Sequence, residues 1–136
     1  MKLKQLIGAY KMLGEAKVTK LDFAEALKII KARKAMRPFA EEYDAFLKDC
    51  QEKFKPENWD EVQAKAQKWE SLTDEEKKDL NIVLMEYNNK INDPVLEELE
   101  KEVEVTVEKL NEDALTNLLQ ENGWKTKDLD NLEVFV

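Results

Sequence analysis

Few residues of this 136-residue chain have the chemistry that an enzyme site requires. Cys50 is the only cysteine and the one strong nucleophile candidate, and the chain has no histidine that could activate it. The lack of histidine also removes the commonest zinc ligand. Because Cys50 follows Phe46 and precedes Phe54 at helical spacing, we expect it to be a small buried hydrophobe. We therefore predict no catalytic role for it.

The sequence also lacks the usual motifs for cofactors and metals. Its three glycines, Gly8, Gly14 and Gly123, are too far apart for a phosphate-binding loop. Acidic pairs such as Glu97-Glu98 are expected when 30 of 136 residues are Asp or Glu, and the calcium-loop pattern of acids around a central glycine is missing. We predict that the protein is not an enzyme, and we expect neither a cofactor nor a metal.

A run of basic residues is the strongest candidate for a binding surface. Lys28, Lys31, Lys34 and Arg37 follow one another at steps of three, a spacing that places neighbours on one side of a helix. Such a side could contact phosphate, an acidic partner protein or the acidic half of a neighbouring copy. Cover by residues 56–136 of the same chain is the alternative.

Charge is divided unevenly along the chain. Residues 1–55 carry 13 basic and 8 acidic side chains, whereas residues 56–136 carry 9 basic and 22 acidic ones, within a formal net charge of −8. Such a chain could attract its own copies head to tail or bind two partners of opposite charge. An ordinary solvated surface is the simpler alternative. Nucleic-acid binding by the basic half is not favoured, because no glycine-rich or aromatic-rich RNA motif accompanies it.

Composition and length predict one folded domain over residues 1–136. The chain is 43% hydrophobic with three glycines and three prolines, which excludes collagen-like, low-complexity and disordered acidic classes. No apolar run approaches the roughly 18 residues that cross a bilayer, so we expect no membrane partner. Lysines interrupt the first twenty residues, so we predict no signal peptide, and a lone cysteine fits a reducing cytoplasm.

The spacing of apolar residues predicts three parts. Residues 1–55 form a basic helical hairpin, in which Thr19 caps a long helix that Pro38 kinks or splits. Residues 56–93 form acidic helices, one of which starts at a capping box at Thr73, and the segment Asn92-Asp93-Pro94 breaks the helical pattern. Residues 94–136 mix helix and strand.

The last part contains a predicted two-stranded β element. Valines alternate with polar residues over residues 102–108, which is strand periodicity, and residues 132–136 are apolar enough to pair with them. Asn111 and Gly123 should bound a helix between the two. We therefore predict a mainly α fold, a long kinked helical hairpin or bundle, with a small C-terminal β element. An open apolar strand would be an association edge. The partner-contact candidates at this end are Trp124, Val134, Phe135 and Val136.

Several segments also occur in an order that is typical of a known family. They are Met1–Tyr10, Ala16–Val18, Phe39–Tyr43, Leu96–Val105, and the spacings Leu115…Leu118 and Asp128-Leu129…Leu132. Over residues 1–55 and 96–136 the chain resembles a family of small proteins encoded among the late genes of tailed bacteriophages and prophages.

The resemblance implies a viral structural or assembly protein. Its partners would be other phage proteins or copies of itself, and a homo-oligomer or a larger assembly is expected. It would act in the host cytoplasm during assembly, and a place in the virion is left open. The family carries no assigned activity, so no site residue follows from it. The alternative is a small acidic regulatory module that blocks a host factor or imitates nucleic acid.

Overall fold

The computed structural model describes residues 1–136 and is mainly helical. Its five α-helices are α1 (Leu3–Glu15), α2 (Phe23–Phe54), α3 (Trp59–Gln67), α4 (Asp74–Leu99) and α5 (Glu112–Asn122). Two 3₁₀ helices cover Trp69–Ser71 and Thr126–Phe135. The predicted mainly α fold class is therefore confirmed.

The chain divides into two compact units. Unit 1 consists of residues Met1–Asp44 together with Leu99–Val136, and unit 2 consists of Ala45–Glu98. The boundaries fall inside α2 and at the end of α4. The interpretation of residues 1–136 as a single domain with an N-terminal hairpin stays a prediction.

The core of unit 1 is built from residues that are distant in sequence. Leu6 of α1, Met36 of α2, Leu118 of α5, and Leu132 and Phe135 of the C-terminal 3₁₀ helix are all fully buried. Burial of each such side chain contributes about 1.5–3 kcal/mol relative to exposure. The first and last segments of unit 1 therefore stabilise each other.

Local signals explain where the helices begin and end. Asp22 caps α2, since its Oδ1 accepts a hydrogen bond from the Glu25 N–H at 3.0 Å. The prediction of Thr19 as that cap was wrong, because Thr19 instead donates to the Glu121 carboxylate from both its N–H and its hydroxyl. The predicted caps of α5 are confirmed. Asn111 Oδ1 accepts from the Ala114 N–H at 2.7 Å, and Gly123 has the left-handed φ of 63° that favours glycine.

Neither internal proline ends a helix. Of the two outcomes predicted at Pro38, a split is wrong because α2 continues through it, and the kink stays a prediction. The prediction that Asn92-Asp93-Pro94 breaks the helical pattern was wrong, because α4 continues through Pro94. Each proline leaves the carbonyl four residues earlier without its helical donor. Those carbonyls belong to Lys34 and Lys90, which are exposed, so water can satisfy them. Burial of Met36 before Pro38 helps to keep α2 continuous.

The predicted two-stranded β element is absent. Residues 103–110 belong to no helix and no strand, and the only bridge near them pairs Lys2 with Glu102 in antiparallel fashion. Residues 132–136 lie within and just after a 3₁₀ helix instead. The reason is that Leu132 and Phe135, three residues apart, are both fully buried, and a 3₁₀ helix repeats every three residues.

Unit 2 has a smaller core of its own. Its buried side chains are Cys50, Val62, Leu80 and Ile91, so the predicted burial of the cysteine is confirmed. The rings of Trp59 and Tyr87 lie 4.6 Å apart, and the Tyr87 hydroxyl donates to the Gln51 carbonyl at 3.1 Å. Burial raises the pKa of Tyr87 above its usual value.

The predicted capping box starts α4. Thr73 Oγ1 accepts from the Glu76 N–H at 3.2 Å, and Glu76 Oε1 accepts from the Thr73 N–H at 3.4 Å. Two otherwise unpaired amides of the first turn are thereby satisfied. The prediction from the residue types at these positions is confirmed.

An ion-pair cluster ties α1 to the segment that follows α4. Glu100 accepts from Lys2 Nζ through one carboxylate oxygen and from Lys4 Nζ through the other, each at 2.6 Å. The hydrogen bonds from Lys2 and Lys4 lower the pKa of Glu100 from 4.5 to about 2. The carboxylate is therefore more acidic in the folded chain than in the unfolded chain.

We expect Phe135→Ala to destabilise the protein strongly. Truncating a fully buried phenylalanine removes its transfer free energy and leaves a cavity, and costs about 3–5 kcal/mol. Val136→Ala is the control, because Val136 is 67% exposed and its truncation should cost within about 0.5 kcal/mol. Urea unfolding followed by circular dichroism measures both. Equal midpoints would contradict the buried placement of Phe135.

We expect Glu100→Gln to weaken the loss of unfolding free energy that the protein undergoes as the pH falls below neutrality. A lowered pKa stabilises the fold above the unfolded value of 4.5, and this stabilisation is lost as the pH falls toward about 2. The unmodified protein should therefore lose more stability than Glu100→Gln between neutral pH and about pH 3. Urea midpoints at each pH measure the difference. Glu97→Gln, at an exposed residue without an ion pair, should follow the unmodified curve, and identical curves for all three proteins would contradict the cluster.

Candidate protein-interaction surface

The part of α2 that lies in unit 1 is amphipathic. Ile29, Ala32 and Met36 are buried at steps of three and four, so they form the inner side of the helix. The opposite side begins at Phe23, in the first turn. On this side Phe23, Ile30, Lys34 and Arg37 lie within an arc of about 60° at 3.6 residues per turn.

The opposite side carries two exposed apolar residues and three free cations. Phe23 is 83% exposed and Ile30 is 63% exposed. Lys31, Lys34 and Arg37 are exposed beside them and form no ion pair or hydrogen bond. A single exposed apolar residue is ordinary, but two large ones on a cationic helix face are typical of a contact surface. We call these five residues the α2 outer face.

Lys28, although part of the predicted basic run, is engaged within unit 1. Its Nζ donates to Glu25 Oε1 at 2.8 Å and to the Lys109 carbonyl at 3.1 Å. Glu25 is 6% exposed, and its other oxygen accepts from the Asn111 N–H at 3.1 Å. The hydrogen bond from Lys28 lowers the pKa of Glu25, and the same bond raises the pKa of Lys28. This pair therefore joins α2 to the start of α5, and Lys28 does not belong to the outer face.

Arg33 also points away from the outer face. Its guanidinium lies 4.3 Å from the centroid of the Tyr10 ring, which is a cation–π contact. Its Nε is buried without a hydrogen-bond partner. Of the four residues of the predicted basic run, Lys28 is therefore structural and the other three are unpaired. Arg33, which lies between them in the sequence, is structural as well. Helical spacing alone does not distinguish the structural from the unpaired residues, because the difference depends on which side of α2 is covered by α1 and α5.

The four C-terminal residues predicted to contact a partner differ in their burial. Phe135 is fully buried in the core of unit 1, so its prediction as a partner contact was wrong. It was placed on an open strand, whereas the 3₁₀ helix turns it inward. Trp124 and Val134 are half-buried against the same core, and Val136 is exposed. The structure brings none of these four residues to the α2 outer face.

The structure regroups the charges of the chain. Unit 1 joins residues 1–44, with 10 basic and 6 acidic side chains, to residues 99–136, with 4 basic and 10 acidic ones. Part of this excess is paired, as at Glu100 with Lys2 and Lys4. Within unit 1, the acidic residues 99–136 therefore pair with Lys2 and Lys4, whereas none of them forms an ion pair with Lys31, Lys34 or Arg37.

Unit 2 keeps an acidic surface. Residues 45–98 carry 8 basic and 14 acidic side chains, and Asp74, Glu75, Glu76 and Asp79 are exposed in the first two turns of α4. Ile82, Met85 and Leu96 are exposed further along the same helix. We call the four acidic residues the α4 acidic end. Their charge is opposite to that of the α2 outer face.

No group of three or more acidic or cysteine side chains is arranged to hold a metal ion. None of the helices combines the length and apolarity needed to cross a membrane.

We expect Lys28→Met to lower the melting temperature and Lys31→Met to leave it within about 2 °C. Removing Lys28 leaves the buried carboxylate of Glu25 without its cation, whereas the ammonium of Lys31 lies in solvent without a partner. Differential scanning calorimetry compares the two substitutions, which make the same chemical change three residues apart. Equal shifts would show that Lys28 has no structural role.

Comparison with known proteins gives no relative for this chain: no family model, no curated protein and no solved structure matches it.

Proposed function

We propose that this chain is a non-enzymatic bacteriophage structural or virion-assembly protein that acts through protein–protein contacts. The α2 outer face carries the proposal, because two large apolar side chains and three unpaired cations lie together there. The phage context rests on the family resemblance of residues 1–55 and 96–136. The protein would act in the host cytoplasm during assembly, with a place in the virion as a further part of the proposal.

The residues of the outer face suit a contact with an acidic partner. Covering Phe23 and Ile30 would contribute about 1.5–3 kcal/mol each before the costs of association are subtracted. Lys31, Lys34 and Arg37 would add attraction to carboxylates and speed the encounter. Apolar contacts would therefore supply most of the affinity, and the cations would select the partner.

A second copy of the chain is the partner that the charges favour. The α4 acidic end, Asp74, Glu75, Glu76 and Asp79, offers four exposed carboxylates. Contact between the outer face of one copy and the acidic end of the next is head-to-tail, since two different surfaces meet. Such contacts generate closed rings when the rotation closes and open filaments when it does not. Both forms occur in repeated assemblies, as the proposal requires.

We expect the purified protein to form oligomers whose mass rises with concentration, as measured by light scattering. Ile30→Ser should shift the assembly toward the 15.9 kDa monomer, and Lys34→Glu should do so most strongly at low salt. Met85→Ser is the matched control, because Met85 is also 63% exposed but lies outside both contact surfaces. A monomer at every concentration, or equal dissociation by Met85→Ser, would overturn the proposed self-association.

The phage assignment has a separate test. The gene should lie among late genes of a phage or prophage, and mass spectrometry of purified particles or of assembly intermediates should detect the protein. A gene outside any phage cluster, together with absence from both preparations, would overturn the assignment. This result is independent of the oligomeric state.

The acidic surface of unit 2 favours one alternative function. A module with 14 acidic and 8 basic side chains could occupy the nucleic-acid site of a host protein. Capture of one stoichiometric nucleic-acid-binding protein by the purified chain, released when the α4 acidic end is changed to glutamine and asparagine, would support this alternative. Retention of the same protein by that variant would overturn it.

A further inference from the structure

The start of the chain forms a short antiparallel pairing with the segment after α4. The N–H of Leu3 donates to the Lys101 carbonyl, and the N–H of Val103 donates to the Met1 carbonyl, both at 2.9 Å. The amino group of Met1 donates in turn to the Val103 carbonyl at 3.2 Å. Met1 and Val103 are thus a hydrogen-bonded pair, whose backbone groups point at each other across the ladder.

Beyond this pairing the chain continues through residues 104–108 without a hydrogen-bonded partner. The backbone groups of Glu104 through Glu108 form no hydrogen bond with any part of the chain. Their side chains alternate, with Val105 and Val107 half-buried against the core of unit 1 and Glu104, Thr106 and Glu108 exposed. This alternation is that of an extended chain, in which alternate residues direct their N–H and C=O groups to the same edge. The backbone of Val105 therefore faces the edge that Met1 occupies at Val103.

An open groove lies along this edge. Its volume is about 490 Å³, and its walls include Met1, Val103 to Thr106, Asp130, Glu133 and Val134. The side chains of Glu104, Asp130 and Glu133 give it three carboxylates. The one cation there is the amino group of Met1, which is already paired with Glu102 at 3.4 Å. The groove therefore offers unpaired backbone groups, valine side chains and a negative rim.

A second copy of this segment is a poor occupant. Antiparallel pairing of two copies centred on Thr106 would place Glu104 of one copy directly opposite Glu108 of the other. Like charges directly opposite each other in adjacent strands are destabilising. An extended segment that carries lysine or arginine at alternate positions would instead place cations against Glu104, Asp130 and Glu133.

We propose that an extended, basic segment of a partner protein binds here by β-strand addition, running antiparallel to residues 103–107. Main-chain hydrogen bonds to Val105 supply the register, and the three carboxylates select the basic side chains. The segment would continue the ladder that residues 1–3 begin. This surface is separate from the α2 outer face, so the inference does not depend on self-association through that face.

The test uses the full chain and a fluorescein-labelled peptide in which lysine and valine alternate over seven residues. Fluorescence anisotropy measures its binding at low and at moderate salt. A second peptide of the same sequence is N-methylated at alternate residues, which removes the hydrogen-bond donors of one edge but keeps the charge. We expect the first peptide to bind and the N-methylated one to bind at least about tenfold more weakly, a difference of about 1.4 kcal/mol.

Two proline substitutions locate the binding edge on the protein. Val105→Pro removes the N–H that faces the groove and should abolish binding, whereas Thr106→Pro removes an N–H on the opposite edge and should leave binding intact. Neither N–H is bonded within the chain, so neither change breaks an internal hydrogen bond. Glu133→Lys should weaken binding at least about tenfold through charge alone.

Each result decides the proposal. No binding of the unmodified peptide, or equal binding of the N-methylated peptide, would overturn strand addition, and the second result would mean charge attraction only. Equal effects of Val105→Pro and Thr106→Pro in two folded variants would overturn the assigned edge. If Val105→Pro fails to fold, the comparison of the two peptides on the unmodified protein still decides the question. Ile30→Ser should leave peptide binding unchanged even where it disrupts oligomers.

Discussion

Unit 1 depends on the burial of Leu132 and Phe135 in the core that α1 helps to form. Both side chains are fully buried, and the approach of the C-terminal 3₁₀ helix to α1 is close. A Cβ atom added at Gly8 would lie 2.6 Å from the side-chain nitrogen of Asn131, and that nitrogen also contacts the Met12 sulfur at 3.7 Å. Because the last residues are needed to complete the core, they are not available as an open strand.

This packing decides which surfaces of unit 1 remain uncovered. The inner side of α2, with Ile29, Ala32 and Met36, is used by the core, so the residues opposite are left in solvent. The buried pair of Glu25 and Lys28 then holds the start of α2 to the start of α5. The segment between α4 and α5 is anchored at Val103 and at Leu110, and its Lys109 carbonyl accepts from Lys28, whereas the backbone of Glu104 through Glu108 forms no hydrogen bond.

The two proposed surfaces use different physical interactions. The α2 outer face combines exposed apolar area with exposed, unpaired cations, so its proposed partner is selected by charge and held by burial. The groove beside Val105 offers main-chain hydrogen bonds, which require that the partner is extended but depend little on the identity of its side chains. A protein with both surfaces can contact copies of itself and another protein at the same time. That combination fits assembly work, in which one component bridges several others.

The sequence by itself determined the helical character of the chain and several of its boundaries. Apolar spacing, the capping box at Thr73, and the caps at Asn111 and Gly123 act within a few residues, so local chemistry is enough to predict them. The burial of Cys50 followed from the same spacing. The prediction of Thr19 as the cap of α2 failed because Thr19 is held by Glu121, about a hundred residues away.

Only the tertiary structure decided whether the prolines end their helices, whether the predicted strand finds a partner, and which residues of the basic run are paired. Pro38 and Pro94 are tolerated because the carbonyls that they leave unpaired belong to exposed residues. The valines of residues 102–108 are buried or half-buried in alternation with exposed residues, as their periodicity indicates. A strand, however, needs a partner, and the C-terminal residues are used in the core instead. Lys28 and Lys31 look equivalent in sequence, and only the position of Glu25 relative to α5 separates a buried ion pair from a free cation. Periodicity assigns a residue to a side of its element, whereas long-range packing determines what covers that side.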